Sequence, residues 1–91
     1  MITVEELERR IEKRYGDRML KDIKSPKRQQ LFVALRVIYY YICIENGVSE
    51  KDAMVMLNRN RTMLYHYKNK FESEYKYNAY FKGIADEILK D

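Results

Sequence analysis

Residues 37–44 read VIYYYICI, and whether they form a strand or a helix decides the fold. β-Branched and aromatic side chains favour a pleated, half-buried strand. Two observations oppose that reading. Leu31, Leu35, Ile38, Ile42 and Glu45 recur at three- and four-residue spacing, the period of one helical face. No other stretch of the chain offers a second strand, and a lone strand would leave its backbone N–H and C=O groups unpaired. The spacing therefore predicts a long central helix over roughly residues 26–46, apolar on nearly every side because other helices surround it. Ser25–Pro26 supplies a start, a hydroxyl cap ahead of a proline whose missing N–H is harmless in a first turn. Asn46–Gly47 supplies the stop.

The flanks follow the same helical grammar. Upstream, Thr3 and Glu6 have capping-box spacing, and Val4, Leu7, Ile11 and Tyr15 fall on one face. Gly16 ends that helix, and the short element DRMLKDI offers Met19, Leu20 and Ile23 for burial. Downstream, Ser49 with Asp52 opens a short helix with Ala53, Met54 and Leu57 inward. The triplet NRN at residues 58–60 is a turn, with Asn60 placed to cap a longer helix that buries Leu64, Tyr67 and Phe71. A last helix starts near Asn78, with Phe81, Ile84, Ala85, Ile88 and Leu89 as its inner stripe. The expectation is one all-α domain over residues 1–91, of about five to six helices.

Composition narrows the function. The chain is 46% apolar, enough for a core, and its longest apolar run is too short to cross a bilayer. The start MITVEELERR has carboxylates where a secretory signal needs an apolar segment. A single cysteine, Cys43, sits in an apolar run and reads as a core filler in a reducing, cytoplasmic setting. One Cys and one His cannot supply a structural zinc site. Net charge is +4, and it is unevenly placed: residues 1–24 nearly cancel, residues 25–70 carry +5 and residues 71–91 carry −2. Positive charge gathered in the middle is the footprint of a nucleic-acid binder.

That region contains NRNRTMLYHYKNK, residues 58–70, which has no Asp or Glu. A short helix, a tight turn and a helix whose first turn holds Arg61 and Thr62 form a helix-turn-helix pattern, in which the mouth of the second helix enters the major groove. Arginine gives two parallel hydrogen bonds to guanine, asparagine pairs with adenine, and a threonine methyl packs on thymine. Arg59, Asn60, Arg61 and Thr62 supply all three types.

In order and spacing, the segments TVEELERRIEKRY, SPKRQQLFVALRVIYYYICIE, VSEKDAMVML, NRNRTMLYHY and YNAYFKGIADEIL resemble the C-terminal DNA-binding domain of the bacterial replication initiator DnaA. That family reads T-x-E-x-I…Y, SKKR…RQIAMYL…E, a serine-started short helix, GGRDHTTVIHA and a closing amphipathic helix. The matched residues are Ser25, Lys27, Arg28, Arg36, Tyr41, Glu45, Ser49, Arg59, Thr62 and His66. The resemblance implies a Trp-repressor-like core that binds double-stranded DNA as a monomer on an asymmetric site. It implies that Arg36 enters the minor groove, that Arg59, Asn60, Arg61, Thr62 and Met63 read bases, and that Lys27 and Arg28 meet phosphates; Ser49, Lys51, His66 and Lys68 are further expected phosphate contacts. Asn60, Arg61 and Met63 stand where the family has aspartate, histidine and threonine, which implies a guanine-richer site. The chain has no G-x-x-x-x-G-K-[ST] phosphate loop. A standalone copy of such a domain, without ATPase activity, fits either a small replication-associated or transcriptional regulator, of the kind a phage or mobile element carries, or a competitor for initiator sites.

A competing expectation is a protein-interaction module of the same fold, since nine tyrosines and five methionines make adaptable surfaces and YKYNAY is a candidate patch. Catalysis is not expected: there is no nucleophile–base spacing and no metal cluster, so no cofactor, small-molecule substrate or membrane partner is implied.

Overall fold

Three consecutive tyrosines point three ways about one axis, and the remaining helices are arranged to receive them. The computed structural model describes residues 2–90, and among these all regular structure is helical. The helices are α1 (Val4–Tyr15), α2 (Met19–Lys24), α3 (Gln30–Glu45), α4 (Glu50–Leu57), α5 (Arg61–Lys68), α6 (Lys70–Tyr77) and α7 (Ala79–Leu89). Along α3 every residue from 34 to 40 is buried, as are Phe32, Ile42 and Cys43. Residues advance by about 100° each on a helix, so seven in succession cover all sides. A helix buried all round must be enclosed, and α3 packs against each of the other six. The tyrosines show how. The Tyr39 hydroxyl donates to Glu8 Oε2 of α1 at 2.7 Å. Tyr40 lies 6.4 Å, ring to ring, from Tyr67 of α5. Tyr41 stacks on Phe71 of α6 at 3.9 Å and 9°. The reading of VIYYYICI as helix is correct.

Helix ends follow side-chain chemistry. Thr3 Oγ1 accepts from the Glu6 N–H at 3.1 Å, while the Glu6 carboxylate turns instead to Arg9 at 3.0 Å. Gly47, at φ +76°, closes α3 with its own N–H on Ile44 O and the Val48 N–H on Cys43 O. The same double bond pattern closes α4. Asn58 takes the left-handed conformation at φ 52°, its N–H on Val55 O and the Arg59 N–H on Met54 O.

Two boundaries differ from expectation. The central helix begins at Gln30 rather than near Pro26, because Ser25 caps the end of α2 instead of the start of α3. Ser25 is extended (φ −86°, ψ 169°), as the residue before a proline tends to be, and its hydroxyl donates to Asp22 O at 2.6 Å. The expected single helix through Phe71 is broken at Asn69, giving α5 and α6. The break lets Tyr67 pack on Tyr40 while Phe71 turns to stack on Tyr41 and meet Phe81 edge-on at 5.5 Å.

Candidate nucleic-acid interface

The turn between α4 and α5 is built by three residues with separate tasks. Asn58 supplies the left-handed bend, and its side-chain amide donates to Lys24 O at 3.1 Å. Asn60 is extended and its Oδ1 accepts from the Met63 N–H at 2.9 Å, capping α5. Arg59, between them, is half-buried and reaches back to the end of α2, donating to Lys24 O at 3.3 Å and to Ser25 O.

Arg36 meets the same carbonyls from the other side. Only 3% exposed, it donates from Nε to Ile23 O at 2.7 Å and from Nη2 to Ser25 O at 2.8 Å and to Lys27 O. Helix α2 has six residues and no closing glycine; without further donors Ile23 O would lack a partner and Lys24 O would have only the Asn58 amide. Two guanidiniums satisfy them, at the end of a helix where cations are favoured. Burial first, then the charges of Arg59 and Arg28, pull Arg36 below the usual arginine range. The connection over residues 25–28 is thus wound around a buried cation, which is the physical reason α3 starts late.

Between this connection and α5 runs a groove of about 900 Å³. Lys24, Arg28, Arg36, Arg59, His66 and Lys70 line it, and no carboxylate of the described residues does. Pro26, Val33, Met63 and Tyr67 form its apolar part. At its edge the first turn of α5 is open to solvent, with Arg61, Thr62 and Met63 all exposed. Arg61 carries the most accessible guanidinium of this edge, its side chain 83% exposed, and its Nε donates to Glu50 Oε1 at 2.8 Å.

This geometry reassigns several residues named from sequence. Arg36 is a buried anchor rather than a minor-groove probe, since its donors are engaged by backbone carbonyls. Arg59 is likewise tied to the α2 end and stands in the groove wall rather than at a base edge. Asn60 has its Oδ1 on the Met63 N–H, and bidentate pairing with adenine needs that oxygen. Arg61, Thr62 and Met63 share one exposed edge. Of the phosphate candidates, Arg28 and His66 line the groove; exposed Lys27 has its Nζ on Asp22 Oδ1 at 3.2 Å. Ser49 caps α4 through the Asp52 N–H at 3.1 Å, and Lys51 and Lys68 are exposed outside the groove.

Lys24, Lys70 and Glu50 belong to this face and were missed from sequence. Lys70 was legible, as it closes the acid-free stretch 58–70. Lys24 and Glu50 reach the face only through tertiary packing.

No group of His, Cys, Asp or Glu able to hold a metal ion occurs among the described residues, and no helix there is long and apolar enough to cross a membrane. Comparison with protein-family models, curated proteins and solved structures gives no significant match.

Proposed function

We propose that the protein binds double-stranded DNA in a sequence-dependent way, with α4, the Asn58–Arg59–Asn60 turn and α5 acting as a helix-turn-helix. The first turn of α5 faces base edges in the major groove, and the basic groove beside it holds the sugar-phosphate strand. The observation that carries this reading is the groove itself: five cationic side chains and His66 with no carboxylate among the lining residues. A solvated basic surface usually intersperses both signs. Here two of the guanidiniums are paired only with neutral carbonyls, so no carboxylate compensates their charge in the groove wall. Phosphate is the anion that a face of this sort accommodates. The resemblance to the DnaA C-terminal domain supports the same class of ligand and a regulatory or replication-associated role without ATPase activity.

The test is binding of fluorescent duplex DNA across a salt series. Lys24, Lys27, Arg28, Lys51, Lys68 and Lys70 remain available to phosphates, and five or six such contacts give a log–log salt slope of about −5. Arg28→Ala and Lys70→Ala each weaken all sequences alike and flatten the slope by about 1. A slope near zero, or no binding at low salt, overturns the reading.

A second reading, a protein-interaction module, is favoured by one observation. Tyr77 and Tyr80 project from the YKYNAY segment into solvent, Tyr77 at 77% exposure. Tyr75 of that segment does not, since its hydroxyl donates to Asp86 and its ring lies 5.9 Å from Phe71. A stoichiometric protein partner that is lost in Tyr77→Ala, together with no DNA binding, would select this alternative.

A further inference from the structure

Among the described residues Glu50 is the one acidic side chain joined to the exposed edge of α5, and it acts on Arg61, whose side chain is 83% exposed. We propose that Glu50 is a specificity-determining residue of the DNA interface. Its carboxylate holds the Nε edge of Arg61 so that the terminal Nη pair is aimed at a single guanine. This rests on the DNA-binding reading above and adds a mechanism of discrimination to it.

The argument is geometric. A guanidinium has two edges that present paired donors: the Nε–Nη side and the Nη–Nη end. Glu50 Oε1 lies 2.8 Å from Arg61 Nε, so the side edge is occupied. The end edge is left as the one fork able to donate two parallel bonds to guanine O6 and N7. Arg61 is otherwise loosely held, with 83% of its side chain exposed, and a long free arginine side chain has much rotamer freedom to lose on binding. The ion pair removes part of that freedom beforehand. Glu50 is itself well placed to persist there, because it is the first residue of α4, where a carboxylate is favoured by the helix dipole. As an exposed pair between two surface side chains it contributes little to folding. Its consequence falls on binding instead.

That consequence has two parts of opposite sign. A carboxylate on a face directed at phosphates weakens binding to every sequence. The same carboxylate raises the contrast between a site that offers Arg61 a guanine and one that does not. Glu50→Ala therefore raises affinity for nonspecific duplex by about threefold or more near 0.1 M salt, and steepens the salt slope by about 1. It lowers the ratio of specific to nonspecific affinity by roughly fivefold or more. Glu50→Gln keeps an acceptor for Nε without the charge. It gives the same nonspecific gain and retains more of the preference than Glu50→Ala.

The experiment uses a duplex enriched from a random pool by the wild-type protein, with each base pair then replaced in turn. Affinities are measured for wild type, Glu50→Ala, Glu50→Gln, Arg61→Ala and the Glu50→Ala/Arg61→Ala double variant. One guanine position loses its preference in both Arg61→Ala and Glu50→Ala, and Glu50→Ala has no further effect on that position when Arg61 is already absent. The proposal is overturned if Glu50→Ala keeps wild-type discrimination at the guanine that Arg61→Ala releases. It is also overturned if Glu50→Ala lowers affinity for all sequences together, the mark of a merely structural role. If the wild type discriminates no base pair at all, the sequence-dependent reading fails and this proposal fails with it. Unchanged thermal unfolding in the Glu50 variants separates either result from misfolding.

Discussion

Replacing Arg36 separates a structural guanidinium from a DNA-reading one. Three of its hydrogen bonds, to Ile23 O, Ser25 O and Lys27 O, hold the connection between α2 and α3. A hydrogen bond to a charged group contributes about 1.5–3 kcal/mol, and relief of burying the cation offsets part of the sum. Without the Arg36 side chain those carbonyls lose its donors and the missing stem leaves a gap in the core, so Arg36→Ala is expected to cost about 3–5 kcal/mol. A domain of this length has roughly 5–14 kcal/mol in total, so the variant loses about a fifth of its stability at the least and nearly all of it at the most. With a urea dependence of about 1–2 kcal/mol per molar, the midpoint falls by roughly 1.5–5 M. Arg36→Met keeps the aliphatic stem in the core and loses about 2–3 kcal/mol, so the difference between the variants measures the stem. Equilibrium urea unfolding followed by circular dichroism is the assay. A loss below about 1 kcal/mol in Arg36→Ala, with DNA affinity falling more than tenfold, would refute the anchor and restore the minor-groove role implied by the resemblance.

Other outcomes follow from single groups. Burial first, and then the Glu8 carboxylate, push the Cys43 thiol up to about 12, so it stays protonated and resists a disulfide reagent at pH 8 in the native state but reacts at once in denaturant. Rapid native-state labelling would contradict that placement. The Asp86 carboxyl is held down at about 2 by its hydrogen bond from Lys82 and then by that from the Tyr75 hydroxyl. A depressed carboxyl contributes stability above its unfolded value near 3.8, and the contribution is lost as pH falls through about 2. Unfolding temperature measured from pH 5 to pH 2 (about the range that matters) therefore drops less steeply in Asp86→Asn than in wild type; parallel curves would oppose the assignment. Gly47→Ala forces a Cβ onto a residue at φ +76° and costs about 1–2 kcal/mol in the same urea assay, although nothing lies near enough to clash.

The fold was legible because its signals are local. Thr3, Ser49, Asn60 and Asn78 each cap the helix that the sequence placed after them, and Gly16, Gly47 and Asn58 each stop one. VIYYYICI was legible by its period, which outweighed strand propensity because no partner strand existed. The candidate site was only half legible, for a reason of range. Arg61 and Thr62 sit on the first turn of a helix, so position alone exposes them. The fates of Arg36 and Arg59 depend on carbonyls 9 to 36 residues away in the chain. A guanidinium that satisfies a helix end and one that reads a base have the same one-letter code. Nothing in the local pattern announces that α2 ends without a glycine and recruits both. The same holds for Glu50, which in sequence is one of three charges opposing a basic region, and in space is the partner of Arg61.

Backbone amide shifts of isotopically labelled protein, followed by NMR as a selected duplex is added, test the proposed DNA-binding face most directly. The account predicts that the largest changes fall on residues 61–63, on Lys24, Arg28, His66 and Lys70 around the groove, and on Glu50, with the outer faces of α1 and α7 unmoved. Changes centred on Tyr77 and Tyr80, or none at any site, would contradict it.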